Sequence, residues 1–224
     1  VTVGKGANSV AGNTVLGENA LDASVSGGDN TAIGKEALTA LTSGVNNVAV
    51  GIQALAASTT ANNNTAVGRH ALKVNTSGTE NTAIGPRTLD ANTTGDFNTS
   101  LGSISLTANT TGDSNTGLGR GALAANTTAS NNTAVGKDAL TANTTGTLNT
   151  GVGSLALAQT TTGNDNTAVG YQALTTNSTG AQNSAFGRNA LANNTTASNN
   201  TALGHQALGE NTTADNNTAV GFKA

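Results

Sequence analysis

The sequence has no cysteine, methionine or tryptophan and a single proline, and only 2% of its 224 residues are aromatic. The lack of cysteine excludes disulfide bonds and thiolate metal sites. Charged residues make up 9% of the chain, whereas an ordinary globular protein has roughly 25%. A chain this poor in large and charged side chains favours a thin-cored, non-enzymatic protein. We therefore expect no catalytic residue, no metal and no cofactor.

Charge and hydropathy argue against two further classes of partner. The net charge is −3 and no basic stripe could neutralise phosphates, so we expect no binding to nucleic acid. No apolar run approaches the ~20 residues that span a bilayer, so we expect no membrane insertion. Disorder is also disfavoured, because apolar residues recur in strict register along a chain of low net charge.

The recurring unit is 17 residues long, as in the stretch from Asn132 to Leu148, NTAVGKDALTANTTGTL. Asparagine opens every copy from Asn13 to Asn217, thirteen in all, with no insertion or deletion. A period of this kind indicates one coil of a β-solenoid per repeat. We predict an all-β fold, a parallel β-solenoid (β-roll or β-helix) of about thirteen coils in which residues 13–224 form a single array that continues beyond the last residue. Residues 1–12 are predicted to form a short, irregular first coil.

Each copy is numbered here from its asparagine as position 1, and the residues at one position in successive coils form a row. Position 4 is a sizeable apolar residue, as at Val135, and position 9 is leucine in every complete copy, as at Leu140. We predict that both rows point inward. Because side chains alternate along a strand, position 3 is then expected to point outward, together with the alanine-rich position 8. Two outward rows of small residues favour close approach of another chain, and we expect a homotrimer.

Two invariant positions are interpreted as structural. The asparagine of position 1 is expected to form an internal ladder, because a buried amide can bond its own copy in the neighbouring coils. The glycine of position 5 follows the strand and is expected to supply a turn with positive φ. In two successive coils the predicted ladder residues are Asn132 and Gly136, then Asn149 and Gly153.

Positions 12 to 14 read Asn-Thr-Thr in the consensus, and β-branched threonine predicts a short strand that gives the coil a third side. The same tripeptide is an acceptor pattern for N-glycosylation, so structure and modification are alternative explanations of it. The candidate glycosylation sites are Asn92, Asn109, Asn126, Asn143, Asn194 and Asn211.

Residues that could carry chemistry are few and scattered. The two histidines, His70 and His205, occupy variable positions on different coils and have no nucleophile or carboxylate at a repeated spacing. Asp96 and Asp113 share position 16 on adjacent coils, where two solvated carboxylates are a better interpretation than a cation site. Positions 6 and 7 hold much of the charge and are predicted to form an exposed edge.

The stretch from Asn166 to Gly180, NTAVGYQALTTNSTG, resembles the repeats of phage and bacterial tail-fibre-domain proteins, in which such repeats precede an endosialidase-type intramolecular chaperone. The strand motif is also similar to the head repeats of trimeric autotransporter adhesins, which build a parallel β-roll. The resemblance covers residues 13–224. It implies a homotrimeric fibre that is extracellular, on a cell surface or on a virion, and that presents an adhesive tip.

Three functions are therefore considered. The first is a non-catalytic structural shaft of such a fibre, whose partner is the chain itself in a homotrimer or filament. The second is an ice-binding β-solenoid, suggested by low charge and abundant Thr, Asn and Ala, although the mixed rows at positions 12 and 14 fit it poorly. The third is a carbohydrate-binding adhesin that contacts cell-surface glycans through positions 6 and 7.

Overall fold

The computed structural model describes residues 2–6 and 8–224. It contains two compact units, residues 1–113 and residues 114–224. In the first unit the strands are β1 (Thr2–Gly4), β2 (Thr14–Gly17), β3 (Thr31–Ile33), β4 (Val48–Val50), β5 (Thr65–Val67), β6 (Thr82–Ile84) and β7 (Thr99–Leu101). In the second they are β8 (Thr116–Leu118), β9 (Thr133–Val135), β10 (Thr150–Val152), β11 (Thr167–Val169), β12 (Ser184–Phe186), β13 (Thr201–Leu203) and β14 (Thr218–Val220).

Within each unit, successive strands from β2 onward pair in parallel with a shift of one repeat. Thr133 pairs with Thr150 and Val135 with Val152, for example. The chain is therefore an all-β parallel β-solenoid of about thirteen coils with 17 residues per turn, which confirms the predicted architecture. The described residues contain no helix, and so none that could cross a membrane.

The segment before Asn13 differs from the expected short first coil. Its strand β1 runs antiparallel to β2, with Thr2 paired with Gly17 and Gly4 with Val15. Residues 2–4 thus extend the sheet in the opposite direction and do not add a parallel coil.

Each coil has one strand, and the remaining sides are turns and bends. The third-side strand predicted at positions 12 to 14 is therefore wrong: Thr144 and Thr145, for example, lie in a bend. Coils are still joined there by hydrogen bonds, since the amide of Thr144 donates to the carbonyl of Thr161 at 3.0 Å. Regular coil-to-coil bonding thus satisfies the backbone without a second sheet.

The interior is thin, and its apolar part consists mainly of three rows of side chains. The leucines of position 9 are its largest members and, with Leu140 as an example, are fully buried as predicted. The alanines of positions 3 and 8, such as Ala134 and Ala139, are also fully buried. A β-carbon built on Gly151, at position 3, would lie 3.5 Å from the Cδ1 atom of Leu140 in the preceding coil. The leucine row therefore leaves room for only a small residue on the inner face of the strand.

The backbone turns sharply around this core. Leu140 has a φ of 51° and Asp138 a φ of 54°, in the left-handed region that non-glycine residues seldom adopt. The amide of Leu140 donates to Ala156 in the next coil at 3.0 Å, while the amide of Asp138 donates to Arg120 in the preceding coil at 2.9 Å. These hydrogen bonds hold a conformation that would otherwise be strained.

Position 5 requires glycine for two reasons. Gly136 has a φ of 131°, and an added β-carbon would lie 2.6 Å from the carbonyl carbon and oxygen of Gly153 in the next coil. The expectation of a positive φ at this corner is confirmed, and the close approach of the next backbone is an additional constraint.

Candidate functional surfaces

The outer face of the sheet is the most extensive candidate surface. It carries position 2, which is threonine in most coils, and position 4, which is always aliphatic or phenylalanine. The most exposed members of the position-4 row are Leu16, Ile84 and Leu101 in the first unit, and Val169, Phe186, Leu203 and Val220 in the second. Their exposed fractions range from 37% to 67%. We call positions 2 and 4 together the outer sheet face.

This arrangement corrects the orientation predicted for the strand. Val135, expected to line the interior, is only partly buried, whereas its neighbour Ala134 is fully buried. The rows of small residues at positions 3 and 8 are consequently packed inside their own chain and cannot approach another one. The basis on which a homotrimer was expected is therefore wrong, and the outer sheet face takes the place of those rows as the surface available to a partner.

Within each unit, the invariant asparagine of position 1 forms a hydrogen-bonded row. The Oδ1 atom of Asn149 accepts the backbone N–H of Asn166 at 3.0 Å and its Nδ2 group at 3.1 Å. The Nδ2 group of Asn149 donates to the carbonyl of Gly163 in its own coil at 2.7 Å. The amide of Asn149 thus joins two coils and closes one corner, and Asn132 and Asn149 are both fully buried.

A second asparagine row occupies position 12. The Nδ2 group of Asn143 donates to the Oδ1 atom of Asn126 at 2.9 Å and to the carbonyl of Gly146 at 2.9 Å. This row contains the six candidate glycosylation sites, and Asn92, Asn109, Asn126, Asn143 and Asn194 are fully buried. The Nδ2 group of the sixth, Asn211, donates to Asn194 and to Ala214. A glycan would replace one hydrogen of the Nδ2 group, so at the five fully buried positions it would displace one of the two hydrogen bonds and occupy the interior.

The position-12 row is interrupted where another residue replaces asparagine. Ser58 and Thr160 are buried there, and neither hydroxyl has a hydrogen-bond partner. The Oδ1 atom of Asn143, one coil before Thr160, is also buried without a partner. Buried polar atoms of this kind cost free energy, so both substitutions are weak points of the solenoid.

The threonines of positions 13 and 14 do not form the flat surface considered for ice binding. Thr144 at position 13 is half-buried, and its hydroxyl donates to the carbonyl of Thr161 at 3.0 Å. Thr145 at position 14 is exposed, whereas position 12 is buried. Positions 12 and 14 therefore do not form the mixed outward rows of Asn and Thr that were considered for ice binding.

Positions 6 and 7 form a corner that carries most of the ionic contacts. In the second unit, Arg120 and Lys137 both lie within 4 Å of the Asp138 carboxylate, at 3.6 and 3.7 Å. Further along the same unit, the guanidinium of Arg188 lies 5.9 Å from the centre of the Tyr171 ring. The rings of His205 and Phe222 stack at 5.2 Å with planes inclined by 12°.

Asp96 and Asp113 make structural contacts, and the pKa of His70 is perturbed by its surroundings. Desolvation by burial, followed by the positive charge of Arg69, lowers the pKa of His70 below its ordinary value of 6.5. The Oδ1 atom of Asp113 accepts the backbone N–H of Asp96 at 2.8 Å, and Asp96 in turn accepts from Thr79. Neutral Asn164 makes the same contact to Thr147, so position 16 acts as a hydrogen-bond acceptor whether or not it is charged. Among the described residues, no group of three or more His, Cys, Asp or Glu could hold a metal ion.

Sequence reasoning missed the outer sheet face. The signal was available, since threonine at position 2 and an aliphatic residue at position 4 recur at a spacing of two residues, as outward rows of a strand must. Comparison with known proteins provides no independent assignment: no family model, no curated protein and no solved structure matches this chain.

Proposed function

We propose that this chain is a segment of a structural shaft, in which several copies associate side by side through the outer sheet face. The observation that carries the proposal is the exposed position-4 row, with Leu101 and Leu203 about half exposed in their respective units. A contiguous apolar row on a surface typically marks a site of association. Thr and aliphatic side chains bear no charge, so copies of this face can pack together without burying an unpaired ion.

The rest of the coil suits a mechanical role. Within each unit, successive coils are bonded through the strand, the turns and the position-1 asparagine row, as Asn149 shows. The interior of most coils contains only one large apolar side chain, such as Leu140. Burial of the outer sheet face would supply the apolar area that this thin core lacks.

The proposed assembly is a homotrimeric, non-catalytic fibre, extracellular or on a virion, that presents a receptor-binding part outside these residues. This part of the proposal rests on the resemblance of the repeat to tail-fibre and trimeric adhesin repeats. It adds to the association argument and is independent of it.

The experiment is a measurement of absolute mass by multi-angle light scattering, with and without a charge on the face. We expect wild-type protein at three times the chain mass of 21.7 kDa. Val169→Lys places an ammonium group on the outer sheet face at a side chain that is already 37% exposed. The variant should keep its circular dichroism spectrum and lose the trimer, because association would bury the unpaired charge.

Thr145→Lys is the matched control, because Thr145 is exposed in the same unit but lies in a bend away from the strand. It should remain trimeric. A wild-type monomer at micromolar concentration would refute the proposal, and so would equal dissociation of both variants.

Ice binding is a second candidate, now favoured by a different observation from the one in the sequence. The position-2 row is threonine in most coils and points outward from a parallel sheet, as Thr133 and Thr150 do. The adjoining position-4 row varies between Val, Ile, Leu and Phe, so side chains of different size make the surface uneven. Ice binding needs a flat surface and is therefore the second candidate. Thermal hysteresis by a monomeric wild-type protein would promote it, and absence of hysteresis at millimolar concentration would eliminate it.

A further inference from the structure

Three of the four aromatic residues of the chain lie within four consecutive coils of the second unit. They are Tyr171, Phe186 and Phe222; Tyr171 and Phe186 are 45% and 39% exposed, and Phe222 lies in the last, incomplete coil. Tyr171 and Phe222 occupy position 6, and Phe186 lies two residues before position 6 of its own coil. In a chain with 2% aromatic residues, this is a marked concentration of rings along one corner and the adjoining edge of the outer sheet face.

The row at position 6 is completed by two flat, nitrogen-bearing side chains. Arg188 lies over the Tyr171 ring and His205 stacks on Phe222, so that four successive coils present Tyr, Arg, His and Phe in order. Coils of a parallel sheet repeat at about 4.8 Å. This spacing is comparable to the length of one sugar residue in an extended oligosaccharide. We call these four residues with Phe186 the aromatic corner.

The neighbouring row, position 7, supplies amide and ammonium groups that can form hydrogen bonds. Position 7 in the same coils is Gln172, Asn189, Gln206 and Lys223. Two further atoms, the Oδ1 atom of Asn189 and the Nδ1 atom of His205, are buried without a hydrogen-bond partner and so are not among the groups that face solvent. Neither position carries a carboxylate in these four coils, although the chain as a whole has a net charge of −3. The corner therefore combines ring faces and edges, amides and cations, with the carboxylate of Glu210 in the cavity that Asn189, Gln206 and Lys223 also line.

We propose that the aromatic corner binds an extended acidic oligosaccharide. The aromatic rings contact the apolar faces and edges of the sugars, as is general for amphipathic ligands on Tyr and Phe. The amides of Gln172, Asn189 and Gln206 exchange hydrogen bonds with hydroxyl groups. Arg188 and Lys223 pair with carboxylate groups, for which the planar guanidinium is the better match. A single-stranded nucleic acid would also stack on such residues, but the two cations are too few to follow a phosphate backbone.

The four position-6 residues lie outside the outer sheet face, so binding to them does not depend on association of the chain into a shaft, whereas Phe186 belongs to both surfaces. The chain also contains its own probe for the site. Tyr171 is the only tyrosine and there is no tryptophan, so intrinsic fluorescence reports on the aromatic corner alone. The full chain is titrated with a hyaluronan octasaccharide, whose uronates supply the carboxylates, and with neutral maltooctaose. We expect a saturable change in Tyr171 fluorescence with the acidic oligosaccharide and a much weaker one with the neutral oligosaccharide.

Two variants test the assignment and one controls for charge. Arg188→Gln and Phe222→Ala should each weaken binding by about tenfold, the scale of one cation–π or aromatic contact. Arg120→Gln removes the same charge from the same row, three coils before Tyr171, and should leave the affinity unchanged. Absence of saturable binding would overturn the proposal. Equal losses in Arg188→Gln and Arg120→Gln, or tighter binding of an oligothymidylate than of the hyaluronan fragment, would also overturn it.

Discussion

Replacement of Thr160 by asparagine should stabilise the protein, and it tests the interpretation of the position-12 row. Thr160 is fully buried between Asn143 and Asn177, one coil to either side. Its amide donates to Leu157 at 3.1 Å, in the same turn by which the amide of Asn143 donates to Leu140. The backbone at this position is therefore already suited to asparagine.

The magnitude follows from the hydrogen bonds that the new amide can make. Its Nδ2 group would donate to the Oδ1 atom of Asn143, which now has no partner, and to the carbonyl of Gly163. Its own Oδ1 atom would accept from Asn177, whose Nδ2 group now donates to Gly180. The orphaned hydroxyl of Thr160 would also disappear. At a net contribution of about 1 kcal/mol per bond, less the ordering of one amide, we expect a gain of about 1–3 kcal/mol.

The measurement is urea unfolding followed by far-ultraviolet circular dichroism. With a slope of about 1–3 kcal/mol per molar urea, the unfolding midpoint should rise by roughly 1 M. Thr160→Val separates the gain from removing the orphaned hydroxyl from the gain of new hydrogen bonds, because it removes the hydroxyl without restoring the asparagine row. Thr162→Asn introduces the same amide at an exposed position and should have an effect near zero. The reasoning is refuted if Thr160→Asn unfolds at the same urea concentration as wild type. It is also refuted if Thr160→Val is as stable as Thr160→Asn.

Two further substitutions test the core and the corner. Leu140→Ala should lower the free energy of unfolding by about 2–5 kcal/mol, because it removes a fully buried side chain. Val135→Ala, on the partly exposed face of the strand, should lower it clearly less. Equal losses of stability in urea unfolding would contradict the assigned orientation of the strand. Gly136→Val should lower stability by a few kcal/mol, since it combines a φ of 131° with a β-carbon 2.6 Å from the backbone of Gly153; an unchanged melting temperature would contradict the corner geometry.

The sequence alone determined the features that depend on repetition. A strict period with asparagine at position 1 fixes one coil per repeat, so the number of coils and the parallel register follow directly. Leu140 could be placed inside because it is the largest apolar residue that recurs in every complete coil. Gly136 could be placed at a corner because its row tolerates no other residue. These inferences need no knowledge of how wide the coil is.

Only the tertiary structure decided which face of each strand is internal. Alternation places Ala134 and Val135 on opposite faces but does not say which of them is buried. The answer depends on the space left by the leucine row, and the 3.5 Å from Leu140 to a β-carbon at Gly151 shows that the inner face accepts only a small residue. The valine is therefore displaced to the outside. The same narrow interior encloses the amides of position 12, so that a pattern typical of glycosylation in the sequence becomes a buried hydrogen-bonded row in the fold.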